Sequence, residues 1–325
     1  MAKILILGAG IAGHTAASHL RRKLSKEHEV VVVSPNRNYQ WVPSNIWVGI
    51  GRMKSDEVFF PLEPLYKRKG IGYKQAKVIS FHPEGDATET KGFVTIEYIF
   101  GKNAGVQEKV NYDYLINATG PKLAFELTEG LNPGTNKAYS VCTYEHAAHA
   151  SEALLKLIGD IKTSDKKAKI LIGTGHAKAT CQGAAFEYIL NVEKELVRYG
   201  VRDKIELTWI SNENELGDFG MDGMLLTYGN QTLKSSELVE MVFADHGIKW
   251  ILGAGVFKID EGKAHYENLE GEYKEEDFDF AMLIPSFSGH GFKAFDKNEN
   301  DITDKLFKGF MIVDADYTSK PYEEW

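Results

Sequence analysis

The chain is poor in cysteine and has no long apolar run, and both shortages restrict what it can be. It holds two cysteines in 325 residues, too few for the disulfide framework of a small secreted domain. No stretch approaches the roughly 18 apolar residues of a membrane-spanning helix. The apolar N-terminal stretch is too short for a signal peptide and is interrupted by glycines. Peripheral membrane attachment stays open, because it needs only an apolar surface patch.

Positive charge is also scarce. The chain has 38 Lys and Arg against 46 Asp and Glu, a net charge of -8, which argues against a nucleic-acid partner. No group of cysteines and histidines has zinc-like spacing, so we expect no metal. A hydrophobic share of 43% with 26% charged residues is typical of a folded protein, and the length allows two domains.

A glycine-rich turn follows the first apolar segment, Lys3–Leu7. Gly8, Gly10, Ala12 and Gly13 form the pattern G-x-G-x-x-G at the expected start of a helix. The first glycine permits the turn, the second lets a pyrophosphate approach the backbone, and the third lets helix and strand pack closely. The pattern predicts a dinucleotide on the N-terminus of that helix.

Two further segments are expected to contact the cofactor. The second strand, Glu29–Val33, is followed by Ser34, where such sites usually have an acidic residue for the ribose. A hydroxyl can still bond a ribose, with less preference for a free 2′-hydroxyl. Ala118, Thr119 and Gly120 are small residues that let a flat ligand lie across strand ends; a simple turn is the alternative.

The same order of segments occurs twice, which predicts an α/β fold with two tandem Rossmann-like dinucleotide-binding domains. Lys169–Gly173 repeats the first strand and Ile205–Ile210 the second. The remaining matches are Gly70–Ile79 with Gly247–Ile259 and Tyr112–Gly120 with Phe278–Pro285. We expect domains at 1–125, at 126–285 and, as a return to the first domain, at 286–325. A helix from about 145 to 158 should connect the halves, and a strand is expected at 309–314.

The second glycine turn carries a thiol. Gly173 and Gly175 are present, Lys178 replaces the third glycine, and Cys181 follows near the expected helix start. A helix N-terminus favours a thiolate, so Cys181 is a candidate redox residue; the alternative is a small buried side chain. The bulk of Lys178 should crowd helix and strand, which argues against a nicotinamide cofactor.

Four segments resemble one family. They are the N-terminal turn, Trp41–Gly51 (similar to P-S-N-x-W-V-x-x-G), Ser140–His146 (S-V-C-T-x-x-H) and Ala179–Glu187 (near C-x-G-x-A-x-E). Over nearly all its length the chain resembles sulfide:quinone oxidoreductases, in the FAD-dependent pyridine nucleotide-disulfide reductase superfamily. The resemblance implies FAD as cofactor and oxidation of hydrogen sulfide to sulfane sulfur or polysulfide. It also implies electron transfer to a membrane quinone and peripheral attachment to the cell membrane. The oligomeric state stays open, a homo-oligomer included.

The resemblance also suggests roles for individual residues. Cys142 should lie near the flavin and act as the second thiol beside Cys181. His146 lies four residues later, one helical turn on, and is a candidate proton carrier; a structural role is the alternative.

The Trp41–Gly51 segment could wall the flavin or the quinone entrance, with core packing as the alternative. Its cofactor candidates are Pro43, Ser44 and Asn45, and Phe287 is a candidate quinone-site aromatic.

Three departures from the family pattern matter. A further cysteine near the C-terminus is missing, and Gly217–Gly220 stands where many members have G-H-x-G, so a proton relay there would depend on a carboxylate. The glycine-aspartate motif and the later amphipathic helices are absent. We therefore expect either a chain that lacks its C-terminal part or weakened FAD binding, and membrane attachment could be lost as well. Two alternatives stay open: an NAD(P)H:quinone dehydrogenase of the same superfamily, and a flavin- or persulfide-binding module without turnover.

Overall fold

The computed structural model describes residues 1–314 and divides the chain into two compact units. Unit 1 comprises Met1–Tyr39, Phe60–Lys122 and, among the described residues, 288–314; unit 2 comprises Gln40–Phe59 and Leu123–Phe287. The sequence predicts residues 40–59 to belong to the first domain, whereas in the structure they belong to unit 2. Packing explains it, because the hydroxyl of Tyr188 donates to the carbonyl of Gly49, at 3.0 Å.

The helices and strands have the following bounds. Up to residue 124 they are β1 (Lys3–Leu7), α1 (Ile11–Lys23), β2 (Glu29–Ser34), β3 (Asn38–Gln40), α2 (Asn45–Gly49), β4 (Phe59–Pro61), α3 (Leu62–Lys69), β5 (Gly72–His82), β6 (Phe93–Tyr98), β7 (Gln107–Asn111), β8 (Tyr114–Asn117) and β9 (Lys122–Ala124). From there to residue 251 they are β10 (Ala138–Tyr139), α4 (Tyr144–Lys162), β11 (Ala168–Thr174), α5 (Gln182–Tyr199), β12 (Ile205–Ile210), β13 (Leu225–Tyr228), β14 (Gln231–Lys234), α6 (Ser235–Asp245) and β15 (Lys249–Ile251). The last are β16 (Gly255–Asp260), β17 (Lys263–Glu267), β18 (Tyr273–Asp277), β19 (Phe280–Ile284), β20 (Ser286–Ser288), β21 (Lys293–Ala294), α7 (Thr303–Leu306), β22 (Phe307–Lys308) and β23 (Phe310–Met311).

Unit 1 is built on a sheet with strand order β7-β6-β5-β2-β1-β8. Strands β5, β2, β1 and β8 run parallel, and β6 and β7 are antiparallel additions. The central strands β1 and β2 are almost continuous apolar runs, as expected when helices or other layers cover both faces. Leu5, Ile6 and Leu7 of β1 are fully buried, so the turn after β1 is fixed on a rigid strand.

Unit 2 repeats this arrangement in its own sheet, ordered β10-β19-β11-β12-β15. All four strand pairs are parallel, and β11, β12, β15 and β19 take the places of β1, β2, β5 and β8. The predicted duplication of the Rossmann-like fold is therefore confirmed. The copies differ after the third strand: β5 is one long strand, whereas in unit 2 the chain breaks into β15 and the separate antiparallel sheet β16-β17-β18.

Three details differ from the sequence prediction or qualify it. The helix expected over 145–158 extends from Tyr144 to Lys162, and Thr143 caps its start by accepting the N–H of His146. The strand expected at 309–314 is reduced to β23, which within residues 1–314 pairs with the short β22. Across residues 1–314, none of the helices has both the length and the apolarity needed to cross a lipid bilayer.

Candidate functional site: two glycine turns and a pair of thiols

The first turn has the geometry that its glycines predict. Gly8 has φ +98°, and a Cβ there would lie 2.0 Å from the carbonyl oxygen of Ala118. A Cβ on Gly13 would lie 2.1 Å from the carbonyl oxygen of Gly8, so α1 approaches β1 too closely for any side chain. Gly10 differs, because a Cβ there meets no atom within 4 Å. The turn is thus tight on its inner side and open at Gly10.

This open side fits the pyrophosphate of a dinucleotide. Helix α1 begins at Ile11 directly after the turn, and none of the described side chains caps its start. Its first amide groups therefore remain available to a phosphate, and the helix dipole favours the negative charge. Ala12 is exposed on the first turn of α1. The residues of the N-terminal turn fit FAD.

The other predicted contacts in unit 1 have protein partners of their own. Ser34 is 1% exposed, and its Oγ accepts the N–H of Asn36 at 3.2 Å. Thr119 donates its hydroxyl to Asn117 at 2.8 Å, and Gly120 has φ +70° with free space where a Cβ would be. Small residues therefore leave an opening at the end of β8, while the hydroxyl of Ser34 is largely enclosed.

The Trp41–Gly51 segment lies in unit 2. The carboxamide of Asn45 is buried and donates to the carbonyl of Val141 at 2.9 Å, so it holds the residue directly before Cys142. Trp41 and Trp47 are 48% and 45% exposed, and they are not core residues. Pro43 and Ser44 lie in a single helical turn before α2.

The second turn keeps two of the glycines, but protein atoms fill the space where a ligand would bind. Seven residues, 175–181, separate β11 from α5, against three between β1 and α1. A Cβ on Gly175 would lie 2.7 Å from the side chain of Leu131, so protein fills the space that is open beside Gly10. Lys178 is exposed in this loop. The expectation that its bulk crowds helix and strand is therefore wrong.

The polar groups of this loop are paired within the protein. The N–H of Gly175 donates to Ile284, and His176 accepts the N–H groups of Lys178 and Ala179. Asn212, just after β12, donates its amide to the carbonyls of Ala177 and Ala179, at 2.9 and 3.1 Å. It also accepts from the buried Gln182 at 3.1 Å. A phosphate would have to compete with each of these bonds.

Cys181 is the N-cap residue of α5, as its position in the sequence predicted. Although the residue is exposed, enough protein surrounds the thiol that burial raises its pKa. The amide of Ala184 lowers the pKa and the charge of Glu187 raises it, with burial the largest cause. The expected thiolate-stabilising effect of the helix start is therefore present but outweighed.

Cys142 is close enough to Cys181 for their charges to interact. Burial raises the pKa of Cys142 to about 11, and a charge on Cys181 raises it further, against a lowering by Ser140. The N–H of Cys142 donates to the Ser140 hydroxyl at 3.1 Å. The two thiols that the sequence singled out thus lie in the same unit, where a charge on one affects the pKa of the other.

His146 does not share a helix face with Cys142, because Cys142 precedes the capping residue Thr143 and lies outside α4. The ring of His146 packs edge-on against Phe125, with 5.6 Å between centroids, and its Nδ1 is buried with no hydrogen-bond partner among residues 1–314. Burial lowers its pKa, which Glu145 partly offsets. The ring is therefore neutral at neutral pH.

The structure also adds residues that the sequence did not single out. Asn212 and Glu213 lie in an ordinary-looking polar segment, and only the fold shows that Glu213 is 4% exposed. Phe287, the predicted quinone-site aromatic, is partly buried and packs against the core of unit 2.

Comparison with known proteins agrees with this geometry. A sulfide-quinone reductase of Aquifex aeolicus is 31% identical over 290 residues, which are 89% of this chain and 60% of that protein. The crystal structure of the sulfide:quinone oxidoreductase from Aquifex aeolicus superposes with a TM-score of 0.74, covering 89% of this chain and 59% of that one. A type II NADH:quinone oxidoreductase of Staphylococcus aureus is 22% identical over 64% of this chain and 48% of its own length.

The chain therefore spans about 60% of the length of the sulfide-quinone reductase it matches. The family model described as pyridine nucleotide-disulphide oxidoreductase matches residues 2–186, more than half of the chain. That match covers the first turn, both cysteines and the start of α5. The chain belongs to the pyridine nucleotide-disulphide oxidoreductase family of FAD-dependent oxidoreductases.

Proposed function

We propose that this chain oxidises hydrogen sulfide to sulfane sulfur or polysulfide in a flavin-dependent reaction, with electrons passing to a membrane quinone. The carrying observation is the pair of electrostatically coupled thiols in unit 2, one of them at the start of α5. The names of the relatives from Aquifex aeolicus and Dictyostelium discoideum, both sulfide:quinone enzymes, support the same substrates.

The two thiols would divide the sulfur chemistry. In their oxidised, disulfide-bonded form, hydrosulfide attacks Cys181, the S–S bond breaks, and a persulfide forms on Cys181. The leaving Cys142 takes up a proton, since its pKa of about 11 keeps it a neutral thiol at neutral pH. A second hydrosulfide removes the outer sulfur as HSS⁻ and leaves both thiols reduced. The chemistry that FAD supplies when bound is acceptance of the two electrons that re-form the disulfide, and their delivery to quinone.

Other residues have supporting roles in this proposal. FAD would be held by the N-terminal turn, with Ser34, the 118–120 segment and Pro43, Ser44 and Asn45 as further contacts. His146 would carry a proton to the reduced quinone and Phe287 would contact the quinone ring. Peripheral membrane association would bring the quinone to the protein.

The test is anaerobic bleaching of the flavin absorbance by sulfide. Cys181→Ala and Cys142→Ala should each abolish the bleaching, because neither variant can form the disulfide that hydrosulfide attacks. His149→Phe, an exposed change on α4, is the matched control and should bleach like the wild type. Unchanged bleaching in Cys181→Ala would rule out this mechanism.

An NAD(P)H:quinone dehydrogenase is the second candidate, favoured by the similarity to the Staphylococcus aureus enzyme. The closed second turn opposes it, because Leu131 and Asn212 occupy the space and the carbonyls around Gly175. Rapid flavin reduction by NADH, without reduction by sulfide, would reverse the choice. A purified chain with no flavin absorbance and no activity on sulfide and a soluble quinone would instead favour a binding module.

A further inference from the structure

A buried carboxylate stands beside the thiol turn and takes no part in the chemistry proposed above. Glu213 follows β12 and is 4% exposed. The hydroxyl of Ser211 donates to its Oε2 at 2.9 Å, and the N–H of Phe219 donates to its Oε1. Its backbone carbonyl accepts the N–H of Gly253 at 2.7 Å. Both oxygens and the main chain of Glu213 are therefore fixed.

The loop that Glu213 binds is held in an unfavourable backbone conformation. Phe219 has φ +53°, in the left-handed region that residues other than glycine seldom occupy. Such a conformation persists only where the surroundings determine it. Here the surroundings supply a carboxylate on the amide of Phe219 and an aromatic neighbour for its ring.

The same loop packs against the first turns of α5. The ring of Phe219 lies 5.3 Å from that of Phe186, edge to face. A Cβ on Gly220 would lie 3.6 Å from Oε1 of Gln182, the residue directly after Cys181. The contacts run from Glu213 through Phe219 to the helix that begins at Cys181.

We propose that Glu213 is a positioning residue that holds the 216–220 loop against the start of α5 and thereby sets the reactivity of Cys181. The inference rests on the proposed function in taking Cys181 as the redox thiol. Its mechanism is packing, because Glu213 acts on the thiol only through Phe219, Phe186 and Gln182.

Loss of the carboxylate should make Cys181 more reactive. Without its acceptor, the N–H group of Phe219 forms a hydrogen bond with water instead. The backbone of Phe219 then relaxes from its left-handed conformation, and its ring moves away from Phe186. Water then reaches the start of α5. Because burial is the largest cause of the raised pKa of Cys181, its thiolate fraction should increase.

The experiment measures the rate of iodoacetamide alkylation at each cysteine, by mass spectrometry near neutral pH. Glu213→Ala should raise the rate at Cys181 about tenfold, the effect of a fall of about one pKa unit. Glu213→Gln keeps an oxygen for the amide of Phe219 and should retain the wild-type rate. Glu215→Ala, an exposed carboxylate in the same segment, is the matched control and should also leave the rate unchanged.

Cys142 serves as an internal control in every variant. Local release of the loop should leave its alkylation unchanged, whereas general unfolding would accelerate both cysteines. Phe219→Gly removes the ring and the strain without leaving Glu213 short of a donor, and should accelerate Cys181 like Glu213→Ala.

An unchanged rate at Cys181 in both the Glu213→Ala and Phe219→Gly variants would overturn the proposal, as would equal acceleration of both cysteines. Alkylation requires neither sulfide nor flavin. A chain that fails to oxidise sulfide but shows the selective acceleration would therefore refute the proposed function and keep this inference.

Discussion

At the scale of single residues, the two thiols are set apart by how deeply each is buried. Cys142 is packed against the core of unit 2 and its pKa rises to about 11, whereas Cys181 is exposed at a helix start. Burial disfavours the charged thiolate more strongly at the deeper site. Cys181 is accordingly the better nucleophile, and Cys142 is the thiol that stays protonated to higher pH.

This difference predicts how Cys142 responds to pH. A raised pKa keeps the thiol protonated through neutral pH, so its alkylation should stay slow and rise only as the pH approaches 11. In Cys181→Ala the like charge is gone, and the rise should begin at lower pH. The measurement is the alkylation rate of Cys142 against pH, and a plateau near pH 9 in the wild type would contradict the expectation.

The unpartnered nitrogen of His146 gives a second prediction. A buried polar atom without a partner costs about 1–3 kcal/mol, so His146→Phe should stabilise the fold by about 1 kcal/mol in denaturant unfolding. The same change should slow quinone-dependent reoxidation of the flavin if His146 carries a proton. His149→Phe should do neither, and a destabilised His146→Phe would show that the Nδ1 atom has a partner in solution.

At the scale of elements, the glycines of the first turn have different roles. We expect Gly13 to be needed for folding and Gly10 to be needed for ligand binding. Gly10→Ala places a methyl group in open space, so unfolding should change by less than about 0.5 kcal/mol while flavin retention falls. Gly13→Ala drives a methyl group into the carbonyl of Gly8 and should cost about 2 kcal/mol. Flavin absorbance per chain and urea unfolding measure the two effects, and equal loss of stability in both variants would contradict the division.

The strands and the helix boundaries show which elements local sequence determines. Apolar segments located β1, β2, β11 and β12 in the sequence, because buried parallel strands are rich in apolar residues. Glycines at the ends of β1 and β11 marked the turns that follow them. The start of α5 near Cys181 was predicted from the sequence, but the closed shape of the loop before it was not. That shape depends on Asn212, whose side chain reaches the turn from another strand end.

At the scale of the whole molecule, most of what could be predicted came from the internal duplication of the sequence. Two copies of one strand order gave the fold, the place of the N-terminal turn and the place of Cys181. The position of residues 40–59 in unit 2 could not be predicted, because it depends on partners far away in the sequence, such as Tyr188 and Val141. Glu213 was missed for the same reason, since a polar segment gives no signal of burial.

The closed second turn also sets what a change of ligand in unit 2 would require. Leu131 fills the space at Gly175 that is open at Gly10 in unit 1, and Asn212 holds the loop before α5 through the carbonyls of Ala177 and Ala179. To open this turn to a pyrophosphate, a variant would need to lose Asn212, carry a smaller residue in place of Leu131 and shorten the loop. Several coordinated changes, rather than one substitution, therefore separate the second turn from the first.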